Sequence, residues 1–310
     1  METKTDLSIQ LAPHNRRGLL LRNPVIAASG TFGYGDEMAG MCDIQRLGAL
    51  ICKGTTLAPR EGNKQPRIAE TPSGMLNAVG LQNMGVEALI REKSEMWSKW
   101  RVPVIVNIAG ETLEEYAELA RTLDTVSGIS GLEVNISCPN VACGCMEFGA
   151  NPDSAAAVTR AVKNATSLPV IVKLTPNACD IVAVAKAVAN AGADAISLIN
   201  TLKGMAIDIK KRKPILGNKT GGLSGPAVKP VAIYMVYQVA AAVNVPVIGG
   251  GGITTYQDAL EFILAGASAI EVGTATFINP SAGTDIIEEL EHYIVNNKLE
   301  FAGLIGAAQH

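Results

Sequence analysis

The chain has 310 residues, 48% hydrophobic and 18% charged, with 26 basic against 29 acidic side chains and a net charge of −3. That balance supports a large buried core and excludes extensive disorder, a basic nucleic-acid surface and a polybasic membrane anchor. Only 4% is aromatic, so the core must be aliphatic, as in parallel sheets covered on both faces.

Met1–Gln10 carries Glu2, Lys4 and Asp6 and lacks the apolar stretch of a signal peptide. Leu7, Ile9 and Leu11, then Leu19 and Leu21, alternate like a short hairpin. Eight short apolar runs follow: Pro24–Ser29, Ala49–Lys53, Pro103–Ile108, Gly131–Ile136, Pro169–Leu174, Ala195–Ile199, Pro246–Gly250 and Ala269–Gly273. Between them lie helical patterns. Thr112–Leu123 opens with a capping-box pair, Thr112 and Glu115, and Asn151-Pro152 starts another helix with proline at its first position. Thr255–Ala265 and Thr284–Asn296 are amphipathic at helical spacing. The longest Ala/Val stretch, from Ile181, is broken by Lys186, Asn190 and Asp194, so no window predicts a membrane span.

Strands alternating with helices predict parallel βαβ units. Eight of them predict a closed barrel, because closure leaves no strand edge open. The expected fold class is therefore α/β, a (β/α)8 TIM barrel with an N-terminal β-hairpin and insertions after strands 2, 4 and 6. Thr55–Asn83 and Thr201–Gly225 are long, polar and rich in Gly and Pro, and are expected as structureless binding loops over the face where barrel active sites form. No linker divides the chain, so one domain over 1–310 is expected. Six cysteines in a chain this size predict free thiols in a reducing cytoplasm rather than a disulfide framework.

Strand C-termini of a barrel converge on one site. Here they carry Ser29-Gly30, Lys53-Gly54, Asn107, Asn135 with Cys138 beyond, Lys173, Asn200-Thr201, Gly249–Gly252 and Gly273-Thr274. The glycine turns on the last two strands allow backbone N–H groups to approach a phosphate, although glycines also simply permit tight turns. No G-x-G-x-x-G or Walker A pattern is present. The apolar residues around Lys173 predict its burial. Lys53 sits in a matching context. A lysine there can form a Schiff base, pair with a phosphate, or stabilise an anion, so an aldolase reading stays open. No metal-ligand set is predicted.

Asn135–Asn140 (Asn-Ile-Ser-Cys-Pro-Asn) resembles the catalytic loop of class 1 dihydroorotate dehydrogenases, and Asn77–Asn83 resembles their substrate loop. Thr220–Pro226 and Gly249–Ile253 complete the pattern. The resemblance implies FMN as cofactor, held by Ser29, Lys53, Gly54, Asn107, Asn135, Lys173, Ile199, Gly225, Gly251, Gly252, Gly273 and Thr274. It implies dihydroorotate held by Lys53, Asn77, Ala78, Val79, Gly80, Leu81, Asn135, Asn140, Asn200 and Thr201. Cys138 would be the base taking the C5 proton, and Lys173 would stabilise the reduced flavin. Gly144 and Gly149 are hinge candidates for a loop closing over Cys138. The Glu147-Phe148-Gly149 stretch resembles the NAD-linked type. That type implies a partner subunit with FAD and a 2Fe–2S centre, and a homodimer of barrels within a heterotetramer. A fumarate-linked homodimer is the rival within the family.

Some residues fall outside that scheme. Cys143 and Cys145 follow Cys138 at a C-x4-C-x-C spacing that lacks a fourth cluster ligand, and read as loop thiols. Cys42, Cys52 and Cys179 are expected to be buried small apolar residues. His14, His292 and His310 are expected at the surface. Trp97 and Trp100 are expected to pack on one helix.

Overall fold

The computed structural model describes residues 6–136 and 148–309. The strands β1 (Val25–Ala27), β2 (Ala49–Ile51), β3 (Val104–Ile108), β4 (Gly131–Asn135), β5 (Val170–Lys173), β6 (Ala195–Leu198), β7 (Val247–Gly250) and β8 (Ala269–Val272) each fall inside one of the eight apolar runs. They close into a barrel in the order β6-β7-β8-β1-β2-β3-β4-β5, and every neighbouring pair is parallel. Among the described residues the helices α1 (Val86–Trp97), α2 (Leu113–Leu123), α3 (Pro152–Ala165), α4 (Ile181–Asn190), α5 (Lys229–Ala240), α6 (Tyr256–Leu264) and α7 (Ala282–Asn297) return the chain between or after strands, and a short α8 (Phe301–Leu304) follows. No described helix is long and apolar enough to cross a membrane.

The helix starts follow local chemistry. Asn151 accepts from the N–H groups of Asp153 and Ser154 at the head of α3, where Pro152 needs no donor partner. Thr255 and Asp258 form a full capping box on α6. The box expected on α2 is only half made. Thr112 accepts from Glu115 N at 3.2 Å, but the Glu115 carboxylate reaches past it to Glu111 N at 2.6 Å.

Residues two apart on a strand share a face. Ile51, Ile105, Ile171, Ala195, Ile248 and Ala269 fill the N-terminal end of the barrel interior. The N-terminal hairpin, Ile9–Gln10 paired antiparallel with Leu20–Leu21, stands at that end. Its Leu11, Leu19 and Leu21 pack onto the apolar layer as a plug. Two residues further along the strands stand Asn107, Glu133, Lys173, Ser197 and Glu271, all buried. The interior thus changes from hydrocarbon to charge within one strand repeat.

The two long insertions are not structureless. Leu202–Gly204, Gly221–Ser224, Gly74–Asn77 and Ile68–Thr71 form, in that order, a four-stranded antiparallel sheet. Ala69, Leu76, Ala78 and Leu216 are buried together in it. Each insertion supplies one antiparallel pair, and the ladder between Gly74–Asn77 and Gly221–Ser224 joins the two pairs. The expected insertion after β4 spans 137–147, outside the described residues. On either side of it, Gly149 N donates to Ile136 O at 2.9 Å.

Three expectations about single residues change. Cys52 is buried, but Cys42 is half-buried and Cys179 is exposed, because it lies in the turn ahead of the α4 cap, Asp180. Trp97 is buried, with Nε1 donating to Tyr34 O at 3.0 Å. Trp100 stands beyond the end of α1, with its ring close against Gly35. His14 and His292 are exposed.

Candidate active site

The C-terminal ends of the strands open into a cavity of about 330 Å³. Ser29 and Gly30 border it after β1, Lys53 and Gly54 after β2, and Asn107 and Asn135 from β3 and β4. Lys173, Ile199, Asn200 and Thr201 follow from β5 and β6. Gly250, Gly251, Gly252, Gly273 and Thr274 complete the ring from β7 and β8. The double-insertion sheet forms the roof and contributes Asn77, Val79, Gly80, Leu81 and Gly225. Ala78 does not border the cavity. Neighbours along an extended chain point oppositely, and its methyl group lies in the small core beneath the sheet while Asn77 and Val79 face inward. Cys138 and Asn140 lie outside the described residues.

Local structure fixes the wall groups. Ser29 Oγ donates to Cys52 O at 2.9 Å. Tyr116 donates its hydroxyl to Asn135 O at 2.7 Å, and Asn200 Oδ1 accepts from Thr201 N at 2.8 Å. After β7 the backbone turns through Gly251 (φ +129°) and Gly252 (φ +80°). A Cβ on Gly252 would stand 2.8 Å from Gly225 O, so a side chain fails there on both conformation and space. Thr274 Oγ1 and Ser224 Oγ, 2.8 Å apart, tie the β8 exit to the roof.

The floor is electrostatic. Lys173 Nζ is 2.5 Å from Glu271 Oε2 and 3.6 Å from Glu133 Oε1. Glu133 also accepts from Asn107 Nδ2 at 2.5 Å and from Ser197 Oγ at 2.8 Å. Burial works against the Lys173 charge, but Glu133 and Glu271 outweigh it and hold the ammonium well above the ordinary lysine range. Burial pushes Glu271 up to about 8; Lys173 opposes this and Glu133 reinforces it. Burial also lowers Lys53, with Glu37 opposing. A lysine held so firmly protonated is a poor Schiff-base nucleophile, which removes Lys173 from the aldolase reading.

Residues 13–294 match the dihydroorotate dehydrogenase family model. The chain belongs to the dihydroorotate dehydrogenase family. Among its relatives, "dihydroorotate dehydrogenase B (NAD(+)), catalytic subunit" of Citrifermentans bemidjiense is 56% identical over 307 residues, 99% of both chains. The protein of the same name from Desulforamulus reducens is 58% identical over 287 residues, 92% of this chain and 94% of the relative. That from Geobacter sulfurreducens is 55% identical, over 99% of both.

FMN, the cofactor expected in this dehydrogenase family, can be tested against the residues present. Glycines at the ends of β7 and β8 leave backbone room for a phosphate. Deeper in, Asn107 Oδ1 and Glu271 Oε1 are buried side-chain atoms with no protein partner. Buried polar atoms need partners, and a flat ring with amide edges would supply them. The residues fit the group. Reasoning from strand ends alone missed Glu133 and Glu271. Their signal was a lone carboxylate inside each of the apolar runs Gly131–Ile136 and Ala269–Gly273, in register with Lys173 by steps of two. Ser224, inside the Thr220–Pro226 motif, also borders the cavity, as do Phe277, Ile68 and Met75, which carry no motif.

Proposed function

We propose that this chain, acting as one FMN-binding domain over 1–310, oxidises (S)-dihydroorotate to orotate in pyrimidine biosynthesis. The single observation that carries the reading is the convergence of amides, two lysines and paired glycine turns on one cavity of a barrel from this family. FMN, when bound, supplies the acceptor for the hydride from C6 of the substrate. The chain's own residues do the rest. Ser29, Asn107, Ile199, Gly225, Gly251, Gly252, Gly273 and Thr274 hold the cofactor, with Gly54, Asn135 and both lysines. Asn77, Asn135, Asn140, Asn200 and Thr201 match the donors and acceptors of the substrate's amide edges, as carboxamides and a hydroxyl can. Lys53 offers a cation to the substrate carboxylate, and Val79, Gly80 and Leu81 shape the roof over the ring.

Cys138 takes the C5 proton. Lys173, already protonated, needs no proton transfer to stabilise negative charge that develops beside it, so its help grows toward the transition state. Electrons leave through a partner subunit carrying FAD and a 2Fe–2S centre, with NAD as final acceptor, in a cytoplasmic assembly built on a homodimer of barrels. The relatives' name, a catalytic subunit of an NAD-linked enzyme, supports that partner.

The test has two parts. Flavin released from purified protein is expected to be FMN by chromatography. Dihydroorotate is expected to reduce an artificial dye with the lone chain, and NAD only when the partner is added. FAD in the barrel, or no flavin in folded protein, overturns the cofactor assignment. Rapid NAD reduction by the lone chain overturns the partner, and efficient turnover with fumarate moves the protein to the homodimeric class.

A further inference from the structure

The floor of the cavity holds two carboxylates and one lysine. With all three ionised, the cluster carries a net negative charge in a buried place, which is costly unless a proton neutralises it. The two carboxylates are not equivalent. Glu133 accepts from Asn107 Nδ2 and Ser197 Oγ, with Lys173 nearby, so its charge is well supported. Glu271 has Lys173 on one oxygen, while its other oxygen is buried without a protein partner, and the residue borders the cavity. The proton belongs on Glu271.

Lys53 also borders the cavity, from the exit of β2, and among the described residues makes no ion pair with Glu271; on α6, which packs on β8, Asp258 and Glu261 are paired with Lys229. The strands flanking β8 present Val25–Ala27 of β1 and Val247–Gly250 of β7, neither with a titratable group. Lys173 on β5 and Glu133 on β4 are the charged groups that face Glu271 across the barrel.

We propose that Glu271 is the proton-holding group of the cofactor site, taking one proton from solvent for each cofactor reduced under alkaline conditions and returning it on reoxidation. The inference rests on the FMN reading above. Two electrons come from dihydroorotate, whose own proton goes to Cys138; the proton on Glu271 comes from water. The cause is competition for Lys173. Negative charge arriving on the cofactor engages the ammonium, and a Glu271 carboxylate left with less of it binds a proton. Below about 8 the carboxyl already carries that proton, so the coupling shows above it.

The experiment is the midpoint potential of the holoenzyme as a function of pH, by equilibration with a reference dye, for wild type and Glu271→Gln. Above that pH the wild-type reduction equilibrium is expected to gain an extra tenfold dependence per pH unit, about 30 mV for a two-electron couple. Glu271→Gln is expected to lack the extra dependence. Reduced-minus-oxidised infrared difference spectra of the wild-type holoenzyme should gain a protonated-carboxyl band at the same pH. FMN content is measured first. Protein without FMN sinks the functional reading; protein with FMN but equal pH slopes in both forms, or no carboxyl band, sinks the role of Glu271. Should Glu271→Gln fail to fold, the wild-type slope and band decide alone.

Discussion

The two ends of the barrel interior are built on the same strands and differ by one step of two residues. At the N-terminal end Ile105, Ile171 and Ala269 meet a leucine plug from the hairpin; at the C-terminal end Asn107, Lys173 and Glu271 meet the cavity. The first layer is stabilised by removing hydrocarbon from water, roughly 1.5–3 kcal/mol for each large aliphatic side chain. The second gains nothing of that kind and persists only because its charges are paired. One strand therefore carries stability and chemistry side by side, and substitutions two residues apart should separate them.

The largest effect is expected from breaking the charged layer. Lys173→Met leaves Glu133 and Glu271 buried without their cation, a loss on the order of 3–5 kcal/mol in chemical unfolding. It should also lower the flavin potential in whatever protein still folds; an unchanged potential counts against Lys173 facing the cofactor. One step down, Ile171→Ala should cost about 2–5 kcal/mol by opening a cavity in the plugged layer. Its flavin potential should stay at the wild-type value, and a shifted potential would show that the two layers are not separable.

Cys138→Ala sharpens the contrast from the other side. It should keep FMN, orotate binding and unfolding midpoint, yet slow flavin reduction by dihydroorotate by at least about a hundredfold. A wild-type rate in single-turnover measurements would remove Cys138 as base. Cys143→Ala and Cys145→Ala should be nearly silent in the same assay.

The smallest effect lies outside the barrel interior, on the cap of α6. Burial disfavours the Asp258 charge, but Lys229, the Thr254 hydroxyl and the N–H groups of Thr254 and Thr255 outweigh it and hold the carboxyl well below the ordinary aspartate range. A depressed folded-state value means the contribution is present above the ordinary aspartate range and is lost as pH falls toward the depressed value. Urea midpoints taken down through the acid range should fall for wild type and fall less steeply for Asp258→Asn. Parallel curves would show that this cap contributes no pH dependence.

Much of this was legible because it is local. Each barrel strand is an apolar run ended by small or polar residues, and Asn151 and Thr255 announce the helices they cap. The roof was not legible because its strands are short and carry glycines, and only one of its three ladders, Ile68–Thr71 with Gly74–Asn77, is local. Gly74–Asn77 finds Gly221–Ser224 far along the chain, and both are short and glycine-bearing, so neither shows the alternation of a half-buried strand. Ala78 was assigned to the substrate with its neighbours because a motif has no faces, whereas a strand has two. Glu133 and Glu271 are hard to see in the sequence because they lie one pleat below the residues that end each run, on the floor of the cavity and not on its rim. Cys179 was placed by the habits of its residue type, which say nothing about a position just ahead of a helix cap.

The shared roof also constrains how such a molecule can change over generations. Two of its strands come from each of two insertions that bracket half of the barrel strands, and the central ladder joins one pair to the other. Shortening either insertion strips the partner of its hydrogen bonds and exposes a sheet edge directly above the cavity. The two segments therefore depend on each other: a graft of one onto another barrel should arrive as a two-stranded pair with an unpaired edge.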